Sequence, residues 1–128
     1  NPIEERSYRQ TEADAVLKFK NMLEKYFWIR EEKVKRNYDI EDASFDKLKE
    51  ATDIYDAGIA DIFNACIMEL VKSENIQLYE TKKSDTYAAH TFYVLESNVA
   101  GLESLNAKYG VSIRKLVNIA IRNVFENK

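Results

Sequence analysis

The chain contains few residues that interrupt secondary structure and few that carry reactive side chains. Its 128 residues include three Gly, one Pro, one Cys and one His. Such low Gly and Pro content predicts a mainly helical protein with short turns. Because Cys66 falls within an apolar helical stripe, we expect a buried thiol in a reducing, cytoplasmic compartment rather than a disulfide. No apolar run approaches the ~20 residues of a membrane-spanning helix, so we expect no membrane partner.

The same scarcity argues against an enzyme. One His and one Cys far apart in the sequence cannot form a nucleophile–base pair or a metal-ligand spacing, and no Gly-rich phosphate loop is present. The acidic residues fall at exposed helix positions, where solvation is their ordinary role. We therefore expect no catalytic residue, no metal site and no cofactor, and we expect His90 to be a satisfied residue of the core or of its rim.

An internal repeat is the strongest pattern that the chain does contain. A shift of 54 positions aligns the second half with the first without a gap, and apolar positions match throughout. The identical pairs are Leu48 and Leu102, Tyr55 and Tyr109, Ile59 and Ile113, Asn64 and Asn118, and Ile67 and Ile121. Two copies are too few for a solenoid, which needs about three units. They favour a pseudo-dimer, in which a unit that pairs with a twin has been fused to that twin.

The repeat divides the chain into four segments. We assign residues 1–33 to an N-terminal helical extension, 34–76 to the first copy, 77–87 to a linker and 88–128 to the second copy. Each copy shows a strand pattern followed by two helix patterns, and the strands at 35–40 and 89–95 are expected to pair antiparallel. The extension has no counterpart in the repeat. We therefore expect the repeat core to fold without residues 1–30.

Local signals mark several helix ends and core positions. We expect Asp42 or Ser44, and Ser97 or Asn98, to cap the first helix of each copy. Gly110 suits a left-handed helix end, and Ser112 suits the next helix start. Ile62 and Leu116 occupy equivalent places that we expect to be buried. Asn64 and Asn118 recur within apolar stripes, where they would either hydrogen-bond across the pseudo-two-fold axis or cap local backbone.

The pattern of strand, helix, Gly-x-Ser turn and helix in about 38 residues resembles the ribbon-helix-helix family of DNA-binding proteins. The stretch from His90-Thr-Phe-Tyr-Val-Leu-Glu through Tyr109-Gly-Val-Ser-Ile-Arg-Lys-Leu to Phe125 is similar in pattern to the Arc, MetJ and CopG repressors. Residues 34–76 share the resemblance through the internal repeat. A fused pair of such units resembles the tandem ribbon-helix-helix accessory proteins of conjugative and T-DNA transfer.

The resemblance implies two units that share one core and pair their strands into a ribbon lying in the DNA major groove. The base-facing positions would be Lys35, Asn37, Asp39, Ala89, Thr91 and Tyr93, and the inward positions Arg36, Tyr38, Ile40, His90, Phe92 and Val94. The phosphate-facing positions at the helix starts would be Gly58, Ile59, Ser112 and Ile113, together with Arg114 and Lys115.

The resemblance thus predicts a cytoplasmic protein that binds double-stranded DNA. It would serve a mobile element (plasmid, conjugative or phage) as a transcription regulator or as a DNA-processing accessory factor. The alternative is a non-enzymatic protein-interaction module with an eroded DNA face, which would hold a protein partner through its N-terminal helix. A third interpretation is an unrelated helical bundle in which the repeat is accidental.

Charge divides these alternatives. The net charge of −3 and Asp39 favour a protein partner, whereas Lys35 and Asn37 favour DNA. Residues 34–74 carry five Lys/Arg against ten Asp/Glu, and residues 86–128 carry five Lys/Arg against three Glu. The first copy is therefore acidic and the second basic, so the two copies would not contact one partner equally.

Overall fold

The computed structural model describes residues 16–80 and 85–125. Helix α1 covers residues 16–27, and two strand–helix–helix units follow it. The first unit comprises β1 (Lys33–Glu41), α2 (Asp42–Tyr55) and α3 (Ile59–Ser73). The second comprises β2 (Tyr87–Leu95), α4 (Glu96–Tyr109) and α5 (Ile113–Phe125). The predicted mainly helical class is confirmed, with one two-stranded antiparallel sheet in the described residues.

The two units have the same plan, because each element of the second begins 54 residues after its counterpart in the first. The strands pair antiparallel, as predicted, and each is longer than expected because Lys33 and Tyr87 already belong to them. Asn37 and Thr91 are partners in the register and are also equivalent in the repeat. A local pseudo-two-fold axis of the ribbon therefore passes between these two residues.

The strands run directly into the helices, which changes the expected caps. Glu41 and Leu95 precede α2 and α4, and neither makes a side-chain cap. Instead the first amides are held by backbone: Asp42 N–H donates to the Thr86 carbonyl at 2.9 Å, and Glu96 N–H donates to the Glu32 carbonyl at 3.1 Å. The expectation that Asp42, Ser44, Ser97 or Asn98 would cap these helices was therefore wrong.

Other helix ends follow the sequence more closely. Gly110 ends α4 in the left-handed conformation with φ 67°, and the Ser112 hydroxyl accepts the Lys115 N–H at the start of α5, at 3.2 Å. Both predictions are confirmed. Helix α3 ends at Ser73, because Glu74 takes a left-handed φ of 51°.

Helices α3 and α5 form the centre of the core under the ribbon. Ile62 on α3 and Leu116 on α5 are both 0% exposed, which confirms the predicted helix phase. Phe63 stacks on Phe92 of β2 with ring centroids 4.1 Å apart, so this core reaches the inner face of the ribbon. Cys66 is buried as predicted, and burial raises the pKa of its thiol above the ordinary value.

Helix α1 belongs to the same core, which argues against the expectation that the repeat core folds without residues 1–30. Its buried residues are Phe19, Leu23 and Tyr26. The Phe19 ring lies 4.8 Å from the ring of Tyr55 and 5.9 Å from that of Phe125. Because those residues come from different units, α1 joins them both.

Candidate nucleic-acid interface

The outer face of the ribbon carries the six residues that were predicted to face bases. All six side chains are exposed, and in the register they form three opposed pairs: Lys35 with Tyr93, Asn37 with Thr91, and Asp39 with Ala89. Residues that alternate along a strand, and residues directly opposite on its partner, share one face of a sheet. The structure therefore brings these residues together on a single solvent-facing surface.

The middle pair of this surface is internally connected. The Thr91 hydroxyl donates to the Asn37 side-chain oxygen, which holds both side chains at the ribbon's pseudo-two-fold axis. The pairs on either side differ in charge, since Lys35 lies toward one end of the ribbon and Asp39 toward the other. The two halves of the surface are therefore chemically different.

The inner face of the ribbon agrees with the prediction except at one position. Ile40, Phe92 and Val94 are buried, and Tyr38 and His90 are half-buried. His90 lies at the rim, one of the two places expected for it, where it stacks on Phe45 with ring centroids 3.7 Å apart.

Arg36 is the exception, because it is exposed although its neighbours on that face are not. Its guanidinium donates to the Lys35 carbonyl at 2.9 Å, so it bends back to the strand. A guanidinium cannot lose its charge inside a protein, and an unpaired buried charge is too costly to keep. Arg36, which was expected to face inward, is therefore a second exposed cation beside Lys35.

Two asparagines hold the edges of the ribbon. The Asn64 amide on α3 donates to the Tyr93 carbonyl at 3.0 Å, and its oxygen accepts the Leu95 N–H at 3.0 Å. The outer edge of a two-stranded ribbon leaves backbone groups without partners from the other strand. Asn64 thus supplies the hydrogen bonds that a third strand would otherwise make.

Asn118 on α5 makes the equivalent bonds to the other strand. Its amide donates to the Asp39 carbonyl and its oxygen accepts the Glu41 N–H, both at 2.9 Å. Each asparagine also donates to a carbonyl four residues earlier in its own helix. Both interpretations of Asn64 and Asn118 are therefore correct: they bind the strand of the opposite copy and they bond local backbone.

The starts of α3 and α5 differ in charge. At α3, Gly58 N–H donates to the Asp61 carboxylate at 3.2 Å, so a negative charge lies where a phosphate would approach Gly58 and Ile59. At α5 the residue equivalent to Asp61 is Lys115. Helix starts favour anions through their free N–H groups, and an added cation strengthens that preference. Only the α5 start combines both features.

The cations at the α5 start are available to an anion. The Arg114 guanidinium lies 4.1 Å from the ring centroid of Tyr87, and both Arg114 and Lys115 are exposed. Within residues 16–80 and 85–125, neither makes an ion pair with a carboxylate. Ser112 and Ile113 precede them, so the four residues predicted to meet phosphate at this helix start are adjacent.

Sequence reasoning missed a buried ion pair next to this helix start. The Glu41 carboxylate is buried, and it accepts hydrogen bonds from Arg122 and, at 3.1 Å, from the Tyr87 hydroxyl. Burial and the nearby Glu41 charge raise the pKa of Tyr87. The one available signal was the repeat itself, because the residue equivalent to Glu41 in the second copy is the apolar Leu95.

No protein-family model, no curated protein and no solved structure matches this chain. Across the described ranges, no helix combines the length and the apolar character that crossing a membrane requires. The same residues contain no group of three His, Cys, Asp or Glu side chains placed to hold a metal ion.

Proposed function

We propose that this protein binds double-stranded DNA by inserting its ribbon into the major groove, in the manner of ribbon-helix-helix proteins. The observation that carries the proposal is the exposed face of the ribbon, where Lys35, Asn37 and Thr91 stand together above a buried inner face. A major groove ~12 Å wide admits a two-stranded ribbon and presents a distinct hydrogen-bond pattern for each base pair. Lys35 suits guanine and Asn37 suits adenine in that pattern.

The α5 start supports the same proposal. Asn118 fastens α5 to β1, and Arg114 contacts the first residue of β2, so Arg114 and Lys115 flank one end of the ribbon. Phosphate contacts of this kind set the position of a protein on DNA without reading its sequence. Asp61 at the other end repels phosphate, which makes the proposed binding one-sided.

Recognition would consequently be asymmetric. The fused units place Lys35 and Tyr93 over one half of the site and Asp39 and Ala89 over the other. Asp39 is compatible with the groove where it accepts from a cytosine amino group. One molecule therefore needs no palindromic sequence. A role as a transcription regulator or DNA-processing factor of a mobile element is part of this proposal and is supported by the resemblance in sequence pattern.

The first test measures the phosphate contacts. Changing Arg114 and Lys115 together to Ala should weaken binding to all duplexes and reduce the slope of log affinity against log salt by about two. The matched control changes Lys47 and Lys49 to Ala, which removes the same charge from α2 and should leave the slope unchanged. Gel shifts at several salt concentrations provide the measurement. Equal effects of the two double variants would contradict a specific phosphate contact.

The second test measures base reading. Asn37→Ala should reduce the preference for a selected duplex over a random one by ~1–3 kcal/mol, the ordinary value of one bidentate base contact. Asp61→Asn removes the opposing charge but keeps an oxygen for the Gly58 N–H, so it should tighten binding to every duplex. If Asn37→Ala leaves the preference intact, the ribbon does not read bases.

A second function, binding of a protein partner, is favoured by the end of α1. Trp28 is 80% exposed and Phe27 beside it is 48% exposed, although large aromatic side chains are ordinarily covered. Failure of the wild type to bind any duplex at low salt would replace the DNA proposal with this one. Trp28→Ala should then abolish partner binding while the ribbon variant Asn37→Ala retains it.

A further inference from the structure

The two copies differ at one pair of equivalent positions: in the first copy a side chain of α1 fills the position, and in the second copy the position is open. In the first copy, Tyr26 of α1 is 3% exposed and lies beside the start of α3. The Lys33 ammonium is 5.1 Å from its ring centroid, and Asp61 and Asn64 lie beside its hydroxyl. The aromatic ring of a residue in α1 thus fills this position.

The equivalent position in the second copy is a cavity of about 450 Å³. The three residues just named beside Tyr26 have counterparts 54 positions later, and all three counterparts line this cavity: Tyr87 for Lys33, Lys115 for Asp61, and Asn118 for Asn64. Among the described residues, no side chain takes the place that Tyr26 takes in the first copy.

The path of the chain explains why this position is open. Helix α1 runs along α3, where Lys18 lies 3.9 Å from Glu69. The residue equivalent to Glu69 is Asn123, which is covered instead by the segment after α3: the Tyr79 hydroxyl donates to it at 2.7 Å, and it donates to the Asn75 carbonyl at 2.8 Å. Residues 74–80 thus cover α5 where the first half of α1 covers α3, but these described residues of the segment supply no counterpart of Tyr26.

The lining of the cavity is positive and partly aromatic. Three cations, Arg114, Lys115 and Arg122, stand where the first copy has Ala60, Asp61 and Met68. One carboxylate, Glu41, also lines the cavity, but Arg122 already binds it. Two cations therefore remain without a carboxylate partner in the described residues, and the rings of Tyr79 and Tyr87 form the neighbouring walls.

We propose that this cavity binds a small aromatic anion, with its ring in the position equivalent to Tyr26 and its phosphate or carboxylate against Lys115 and Arg114. The volume is within the ~300–1,000 Å³ of ordinary small-molecule sites. The aromatic walls favour a planar ring, and cations that no described carboxylate binds favour an anion. A nucleoside monophosphate and a simple aryl phosphate share this chemistry. This ligand would use the same two cations that the proposed DNA binding gives to a backbone phosphate, so the two would compete for them. The ring distinguishes the two ligands, because a backbone phosphate in a duplex brings no unstacked ring.

Isothermal titration of the whole chain tests the proposal with phenyl phosphate and AMP as probes and with inorganic phosphate and phenol as half-ligands. We expect at least one probe to bind about tenfold or more tightly than either half-ligand, since both the ring and the charge contribute. Preference for AMP would identify a nucleotide and preference for phenyl phosphate a simple aryl acid. Equal binding of probes and inorganic phosphate, or no binding at millimolar concentration, would overturn the proposal.

The matched variants use residues that the chain itself offers. Lys115→Asp introduces the side chain of the first copy and should weaken probe binding about tenfold or more, whereas Lys47→Asp makes the same change on α2 and should not. Lys115 is exposed, and an acid in the first turn of a helix is favourable, so the variant should fold. A thermal melt checks this, and Lys115→Gln replaces it if the melt shifts. Unchanged affinity in the folded variant would overturn the site while leaving the DNA proposal untouched.

Discussion

Asn64→Ala is the most informative single change to the scaffold, because it removes hydrogen bonds that connect one copy to the other. The side chain binds two backbone groups of β2, at Tyr93 and Leu95, and its oxygen also accepts from the Asn98 amide at 3.0 Å. Asn64 is 0% exposed, so water cannot replace these bonds without a rearrangement. Alanine in its place leaves a cavity and unsatisfied polar groups.

The expected cost follows from the groups that lose a partner. The Leu95 N–H and the Tyr93 carbonyl lose their bonds to Asn64, while the Asn98 amide keeps a bond to the Asn64 backbone carbonyl at 3.1 Å. A buried polar group without a partner costs ~1–3 kcal/mol, so the loss of partners for these two groups should lower the free energy of unfolding by ~2–6 kcal/mol. That loss is large against the ~5–15 kcal/mol that a typical domain has.

Urea denaturation followed by circular dichroism measures this loss. Asn118→Ala should cost somewhat less than Asn64→Ala, because the residue equivalent to Asn98 is Ser44, whose buried hydroxyl makes no hydrogen bond in the described structure. The control is Asn21→Ala, which changes the same side chain at an exposed position of α1 and should stay within ~0.5 kcal/mol. If Asn64→Ala costs no more than Asn21→Ala, these hydrogen bonds do not hold the ribbon to the helices.

Three further predictions concern the core. Ile62→Ala and Leu116→Ala should each lower the free energy of unfolding by ~2–5 kcal/mol, whereas Leu17→Ala, at a position 55% exposed, should barely change it. Equal urea midpoints for the three variants would contradict the burial of Ile62 and Leu116. Cys66 should resist alkylation in the native protein at pH 8 and react in urea, because burial raises its thiol pKa and the thiolate is the reactive form; rapid native labelling would disagree. Removing residues 1–30 exposes the surface that three buried side chains of α1 cover, and the burial of each is worth ~1.5–3 kcal/mol. The midpoint of the thermal transition should therefore fall, or the transition should disappear. An unchanged midpoint would place α1 outside the core.

The sequence alone was sufficient for the repeated architecture. Apolar spacing located α3 and α5 with the correct faces inward, as Ile62 and Leu116 show. Equal spacing between the copies also predicted that their strands would pair, and the observed register sets Asn37 opposite its own repeat equivalent, Thr91. These features follow from the local spacing of apolar residues and from the 54-residue offset between the two copies. A pattern of that kind survives in the sequence because every residue of an element contributes to it.

Only the tertiary structure decided which side chains meet. The first amides of α2 and α4 donate to backbone carbonyls of distant residues, and the next amide of α4 donates to the Glu31 carboxylate. The bond between Arg122 and Glu41 joins positions 81 residues apart. Helix α1 has an ordinary amphipathic pattern, yet its burial against both units depends on how the elements pack. The same packing decides that Tyr26 fills a position whose equivalent in the second copy is an open cavity. Periodicity states which face of an element is apolar. It does not state which partner covers that face, because pairing of surfaces is decided by the shape and charge of residues far apart in the chain.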